Sequence, residues 1–298
     1  MHQPFQGKII LHGGARSIPS EMKTSYLDGC RAAAARGWEV LLNSESALDA
    51  VEAAVIALEN DPTFNAGYGS ALNREGMVEM DSAIMRGPDL AAGAVAAIRG
   101  VANPISLARK VMAEGEAVLL ASEGALQFAV KHGTPILPLS EMVSAAQYNQ
   151  RLSENKSTGE CKDTVGCLAL DQQGTLVAGT STGGLSGKHS GRIGDSPLIG
   201  SGLYANKICA VCATGDGEAI MKVVLSREIA RLVEGGMHPQ SAAEAGIKYM
   251  AESVHGEAGC IVLDKHGEIG IAHNSEHLSF AVVDATMREP MVALHQSL

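Results

Sequence analysis

A chain of 298 residues, 46% hydrophobic and 19% charged, is long enough for one large α/β domain or two ordinary ones and is not globally disordered. Its net charge of −10 and pI near 5.5 argue against nucleic acid and anionic membrane surfaces as partners, and 3% aromatic content leaves few stacking platforms for bases. The 34 glycines and abundant alanine point to closely packed backbones and a core of small aliphatics.

In chain order, the first eight residues lack the apolar core of a signal peptide, and no apolar run approaches the ~20 residues needed to span a bilayer. A soluble, cytoplasmic protein is expected. Lys8 to Ala15 is an apolar run closed by two glycines, a buried strand entering a tight turn. His12 within it reads as a core histidine satisfied by backbone, with a ligand or catalytic base as the alternative. Residues 20–36 have helical spacing and are expected to stop at Gly37. Ser46 to Glu59 has an apolar face at Leu48, Val51, Val55 and Leu58, and ends before Asp61-Pro62. Phe64 to Ser70 is a shaped, glycine-bearing loop. Gly76 to Met85 and Ala91 to Ile98 read as strands. Asn103 caps a helix with Pro104 in its first turn. Another helix covers about 121–131 and stops near Gly133.

From Pro138 to Asp163 the chain is mostly polar and reads as a linker, the kind of segment in which cleavage is tolerated. After Thr164 it turns β-rich. Val165 to Leu170 and Thr175 to Thr182 form a hairpin, and Ile208 to Ala213 a further strand. One helix is expected from Glu218 to Gly235 and another from Pro239 to Val254. Gly259 to Ala272 is a second hairpin, and Leu278 to Val283 a last strand. Strands, then helices, then strands again favour antiparallel sheets with helices outside.

Several motifs fail in detail. Gly179 to Lys188 resembles a phosphate loop, but Thr182 stands where glycine is needed and His189 follows the lysine. Gly215-Asp216-Gly217 opens a dinucleotide-like pattern that ends in Ile220. Gly179-Thr180-Ser181-Thr182-Gly183 matches a serine elbow, yet glycines rather than a helix follow it. The six cysteines (Cys30, Cys161, Cys167, Cys209, Cys212 and Cys260) have no regular spacing and read as reduced thiols. Cys209 and Cys212 form C-x-x-C on an apparent strand, where residues three apart face opposite sides.

What remains is the junction Asp163-Thr164. A polar segment lies to its left and an apolar strand begins at once to its right. A cut there would make Thr164 an N-terminus, with a hydroxyl beside an amine of reference pKa about 7.7–8.0 that serves as its base. Within the next residues fall Thr180 to Gly184, Gly191 to Pro197 and Ala213 to Glu218, rich in small hydroxyls, glycines and a few charges.

These pieces, together with His12-Gly13-Gly14-Ala15, Phe64 to Ser70, Glu79-Met80-Asp81, Asn103-Pro104 and Tyr204-Ala205, occur in an order that resembles the plant-type asparaginase and isoaspartyl peptidase family of N-terminal-nucleophile hydrolases. The resemblance covers nearly the whole chain. It implies an α+β fold, a four-layer αββα sandwich, and autocleavage into an α subunit of residues 1–163, including the linker at about 138–163, and a β subunit of residues 164–298. Both would form one domain and assemble as an (αβ)2 heterotetramer. It further implies Thr164 as nucleophile, Thr182 beside it, Thr214 and Gly215 as oxyanion stabilisers, and Asn65 reaching in from the α subunit. Arg192 would hold a substrate α-carboxylate and Asp195 an α-amine, with Gly217 lining the site. The carbonyls of Leu58, Glu59, Asp61, Phe64, Ala66 and Tyr68 would form a structural sodium cage. No organic cofactor is implied.

The implied activity is hydrolysis of β-aspartyl (isoaspartyl) dipeptides and L-asparagine, small-molecule substrates, to L-aspartate. The chemistry suits the residues: an aspartyl head carries one carboxylate and one ammonium, and Arg192 and Asp195 offer the opposing charges. Alternatives stay open. Arg192 and Asp195 read equally as a surface ion pair, and the threonines as strand formers. The Asp-Thr junction departs from the Gly-Thr of many bacterial members and resembles the glycosylasparaginase and taspase branches. A glycosylasparaginase-like amidase and a non-catalytic binding module of the same fold are the other readings.

Overall fold

The computed structural model describes residues 7–145, 147–149 and 163–296. In chain order the elements are β1 (Lys8–Arg16), α1 (Lys23–Ser44), α2 (Ala47–Asn60), β2 (Met80–Arg86), β3 (Ala92–Ile98), α3 (Pro104–Glu114), β4 (Leu119–Ala121), α4 (Ser122–Lys131) and α5 (Leu139–Met142). After the junction come β5 (Val165–Leu170), β6 (Leu176–Thr182), β7 (Leu203–Ala205), β8 (Cys209–Gly215), α6 (Gly217–Val223), α7 (Leu225–Glu234), α8 (Pro239–Val254), β9 (Ala258–Asp264), β10 (Ile269–His273), β11 (His277–Asp284) and β12 (Met291–Gln296).

The architecture is mixed α+β. One sheet has the order β12-β11-β1-β5-β6-β2-β3-β4, the other β10-β9-β8-β7. Among the described residues, the pairings between these strands are antiparallel except β3 with β4. The strands from before and after the junction interleave: β1 is hydrogen-bonded between β11 and β5, and β2 beside β6. Three apolar cores result among the described residues. One packs α1 to α4 on the larger sheet, through residues such as Leu41, Val51, Val55, Ile105 and Cys167. A second lies between the two sheets and contains Ile10, Leu168, Ala178, Cys212 and Ile261. The third seats α6 to α8 on the smaller sheet, through Val211, Ile220, Ile229 and Met250. Cys209 faces the third core and Cys212 the second, as a strand's two-residue period requires.

Local chemistry explains the turns. In the β5–β6 hairpin, Asp171 Oδ1 accepts from the backbone N–H of Gln173 and Thr175, and Gly174 takes φ +78°. The β9–β10 hairpin repeats the device with Asp264 and Gly267. Ser46 caps α2 by accepting from Asp49 N.

Three expectations need correction and one needs refining. Gly37 does not end a helix: α1 runs through it to Ser44, and an added Cβ there would lie 3.0 Å from Ala54 Cβ, so the glycine lets α1 and α2 approach. The single helix after Glu218 is broken at Val224, which has φ 51° and separates α6 from α7. There the N–H groups of Ser226 and Arg227 turn back to the carbonyls of Ser201 and Gly200. Asn103 is the N-cap residue of α3, as expected, but its side chain makes no capping hydrogen bond. Its amide donates to Asn60, and the buried Glu59 carboxylate accepts from Ile105 N instead. The strand expected from Gly76 begins only at Met80. Of the linker, residues 150–162, with Cys161, lie outside the described residues; Met142, at its start, is buried in the first core. The other five cysteines are buried free thiols. No helix among the described residues is long and apolar enough to cross a membrane.

Candidate active site

Thr164 is the residue before β5, and pairing on both sides fixes its place. Gly166 lies opposite His12 of β1 and Thr180 of β6, and Val165 opposite Ser181. Thr164 is 4% exposed. Its backbone N–H donates to Thr214 Oγ1 at 3.1 Å, and its Oγ1 lies 3.0 Å from Ser196 Oγ. The carbonyl on the other side of the peptide, that of Asp163, accepts from Asn65 Nδ2 at 3.0 Å and from Thr182 Oγ1 at 2.7 Å. The Asn65 amide is itself fixed, because its Oδ1 accepts from Ala71 N and its Nδ2 also donates to Gly184 O. Thr182 Oγ1 accepts from Gly184 N, which aims its proton at Asp163. Two donors therefore converge on one carbonyl oxygen, the arrangement that stabilises an oxyanion.

Arg192 and Asp195 sit on the glycine-rich loop that follows β6. The carboxylates of Glu79 and Asp81 pin that loop: Glu79 accepts from Gly191 N and Ser190 Oγ, and Asp81 from Gly194 N. Burial works against ionisation of Glu79, but hydrogen bonds from Gly191 and Arg99 hold its pKa down at about 2. Lys188, 4% exposed, donates to the Glu79 carbonyl behind the loop. Arg192 does not pair with Asp195. Its Nε and Nη2 grip Glu218 at 2.9 and 2.7 Å. Asp195 is buried with no partner for Oδ2, and burial pushes its pKa up to about 7. Gly217 closes over both, since an added Cβ would lie 2.9 Å from Asp195 Oδ1 and 3.0 Å from Arg192 Nη2.

Thr164, Thr182, Arg192, Asp195 and Gly215 line one cavity with Asp163, Gly184, Leu185 and Gly194. Its volume is about 10 Å3, room for about one water molecule. With Asp163 in place, no amino-acid head fits. Gly215, at φ +134°, brings its backbone against Glu257, where a Cβ would lie 2.4 Å from the carbonyl oxygen.

His12 is a fully buried core histidine; burial lowers its pKa to about 3, opposed by its contact with the Thr164 backbone. The loop 58–68 wraps the end of α2. Four of its six expected carbonyls already accept a backbone N–H: Leu58, Asp61, Phe64 and Ala66. Each keeps a second lone pair. Glu59 and Phe64 carbonyls press on the turn at 67–69, where added Cβ atoms would lie 2.3 and 2.0 Å from them. Neutral carbonyl oxygens are the ligand type that a hard cation takes. Among the described residues no His/Cys/Asp/Glu group could hold a metal ion.

Sequence reasoning missed Ser196 and Glu218, although both lie inside motifs it singled out. It also missed Arg16 and Tyr26, which hold the Asp163 carboxylate.

A family model described as asparaginase matches residues 5–292. An isoaspartyl peptidase/L-asparaginase of Xenopus laevis is 44% identical over 92% of this chain and 91% of that protein. A plant-type L-asparaginase of Pyrococcus furiosus is 42% identical over 95% of this chain and 98% of its own length, and the Bos taurus isoaspartyl peptidase/L-asparaginase is 43% identical over 92% of each. The threonine-centred site thus stands in a hydrolase scaffold. The chain belongs to the asparaginase family.

Proposed function

We propose that this chain is an autoprocessed amidohydrolase that releases L-aspartate from β-aspartyl dipeptides and L-asparagine through a Thr164 acyl-enzyme. The observation that carries it is the Asp163–Thr164 peptide, whose carbonyl oxygen accepts from Asn65 and Thr182 beside a buried threonine hydroxyl. In maturation, Thr164 Oγ attacks the Asp163 carbonyl carbon, and the oxyanion forms against those two donors. The C–N bond breaks, an Asp163–Thr164 ester forms, and the Thr164 nitrogen becomes an amine. Water hydrolyses the ester to an Asp163 carboxylate and a free Thr164 hydroxyl.

In turnover the freed amine, next to Thr214, takes the hydroxyl proton as Thr164 attacks the substrate side-chain amide. The amide nitrogen leaves as ammonia or as an amino acid, and water releases aspartate. Thr214 and Gly215 stabilise the oxyanion. The Arg192 guanidinium holds the α-carboxylate and Asp195 the α-ammonium, with Gly217 packed over them.

Three finer features belong to the same reading. Three cores between helices and two sheets support a four-layer αββα sandwich of the N-terminal-nucleophile type. Interleaved strands support one domain built jointly by residues 1–163 and 164–298, which stay associated after the cut. The (αβ)2 assembly is tested by the solution mass of the cleaved protein. A sodium ion in the 58–68 loop would be held by the carbonyls of Leu58, Glu59, Asp61, Phe64, Ala66 and Tyr68, and supplies only a local positive charge. Asn65 lies in that loop, so cation binding would help fix its amide. Buried, reduced cysteines fit the cytoplasm.

The test is direct. The purified chain is expected as two bands on a denaturing gel, the second beginning at Thr164, with aspartate released from β-aspartyl-leucine and L-asparagine. Thr164→Ala is expected to stay whole and to lose turnover by about 10³-fold or more, as for a nucleophile. An uncut chain with full activity, or an active alanine variant, overturns the reading; preference for glycosylated asparagine would move it to the glycosylasparaginase branch.

A further inference from the structure

The Asp163 side chain has a built seat. The carboxylate is fully buried. Oδ2 accepts from Arg16 Nη1 at 3.1 Å and from the Tyr26 hydroxyl at 3.2 Å. Gly14, at φ +119° beside an irregularity in the β1–β11 pairing, leaves the space that the carboxyl fills: a Cβ there would lie 2.6 Å from Asp163 Oδ1. Tyr26 is fixed edge-on against Phe64, with ring centroids 5.3 Å apart. Phe64 precedes Asn65, the residue that donates to the Asp163 carbonyl.

We propose that Gly14, Arg16 and Tyr26 form a carboxylate-recognition pocket that seats the Asp163 side chain and so presents its carbonyl for cleavage. The inference rests on the maturation step proposed above.

Two arguments favour it over a merely structural ion pair. First, the pair is a poor permanent stabiliser. Among the described residues Asp163 Oδ1 has no hydrogen-bond partner although it is buried, and Arg16 reaches the carboxylate through Nη1 alone. Burying a carboxylate so incompletely is unfavourable, and a glycine at 163 would avoid it. Second, one loop touches both the pocket and an oxyanion donor. Phe64 buttresses the carboxylate's partner Tyr26, and Asn65 next to it reaches the carbonyl. Seating the side chain therefore fixes the peptide within reach of Asn65 and Thr182, at 3.0 and 2.7 Å. Positioning of this kind is where much of a unimolecular rate comes from. The ligand class is a carboxylate of one to three carbons on a small stem.

The experiment follows maturation of newly synthesised full-length chain by the appearance of the 164–298 fragment. Arg16→Met, which keeps the stem, is expected to slow the cut by about tenfold or more, the worth of one charge-assisted hydrogen bond, while Arg16→Lys retains most of the rate. Asp163→Gly is expected to mature slowly and to be accelerated severalfold by sodium formate, which refills the pocket. The double variant Asp163→Gly with Arg16→Met is expected to lose that acceleration, and this rescue is a readout that a purely structural pair would not produce. Cleavage of Arg16→Met at the wild-type rate, or of Asp163→Gly at that rate without a formate response, overturns the pocket alone. Absence of any cut in the wild-type chain overturns the maturation reading, and the pocket with it. Should Arg16→Met fail to fold, the formate response of Asp163→Gly decides.

Discussion

Two guanidinium–carboxylate pairs flank Thr164, and they are built oppositely. In Arg16–Asp163 the acid is the buried partner, held through Arg16 Nη1 alone, with one oxygen unpaired among the described residues. In Arg192–Glu218 the base is the more buried partner, at 15% exposure against 46%, and two parallel bonds join the groups. The Arg16 pair has the character of a ligand tethered in a receptor, costly to keep and fit to be released. The Arg192 pair has that of a receptor braced from behind. Glu218 takes the Nε and Nη2 edge of Arg192. Nη1 is turned toward the backbones of Gly184 and Gly194, where added Cβ atoms would lie 3.2 and 2.8 Å away, and both glycines line the cavity with Thr164. The fork therefore keeps donors for a further carboxylate on the cavity side. In the function proposed above, one region would serve the cut and the other substrate.

The sharpest way to break that division is Arg192→Met. It strips the only guanidinium from the described cavity lining and takes from Asp195 and Glu218 the cation that acts on both. Removing one partner of a buried charge contact costs about 2–5 kcal/mol, so kcat/KM for L-asparagine is expected to fall by roughly 10²–10³-fold, mostly through KM. The cut itself should proceed within about twofold of wild type, because Arg192 makes no hydrogen bond to the Asp163 carbonyl. Fragment yield and steady-state kinetics on one preparation check both halves. A variant that stays uncut would merge the two regions into one.

Asp195 gives the next effect. Burial raises its pKa to about 7; Arg192 opposes, while Asp81 and Glu218 add to the rise. Only the anion holds a substrate ammonium, and an acid with a raised pKa is anionic above that value and neutral below it. Substrate affinity should thus be full near pH 8 and be lost as pH falls through 7, by about tenfold in kcat/KM between pH 8 and 6. The Thr164 amine titrates in the same direction. Asp195→Asn separates the two: the step that persists in that variant belongs to the amine, and an unchanged profile would deny Asp195 its role.

Much of this is legible in the sequence, for identifiable reasons. Both long hairpins are readable because alternating small apolar residues meet an Asp-x-x-Gly turn. Thr164, Thr182, Thr214 and Asn65 do come together. What stays hidden is whatever topology decides. Gly37 reads as a stop, yet its missing side chain serves the α1–α2 contact. Nothing in a run of helix formers announces that Val224 will adopt a left-handed conformation, because the carbonyls that stabilise the break belong to Gly200 and Ser201. β12 (Met291–Gln296) alternates too weakly to be read. The alternative reading of Arg192 and Asp195 as a surface ion pair fails because the fold brings Glu218 to Arg192 from the first turn of α6. Arg16 reaches Asp163 across 147 positions, a distance no local pattern encodes.

Glu218 is where the comparison can be sharpened with the smallest change. Glu218→Gln keeps the shape and removes the charge, and its amide nitrogen then meets a guanidinium N–H it cannot accept. Because Glu218 is about half exposed, the pair should contribute only about 0.2–1 kcal/mol to stability, and melting should barely move. As a brace, however, it fixes the fork, so the KM for L-asparagine should rise by about two- to fivefold, with kcat unchanged because Thr164 and Thr214 are untouched. The sign of the KM change is the informative part. A brace on the far edge leaves substrate's donors vacant, so loosening it weakens binding. If Glu218 instead occupied the edge that substrate needs, removing its charge would relieve competition and KM would fall. A lower KM would mean that both carboxylates beside Thr164 are occupants awaiting displacement, and the contrast between the two pairs would not survive it.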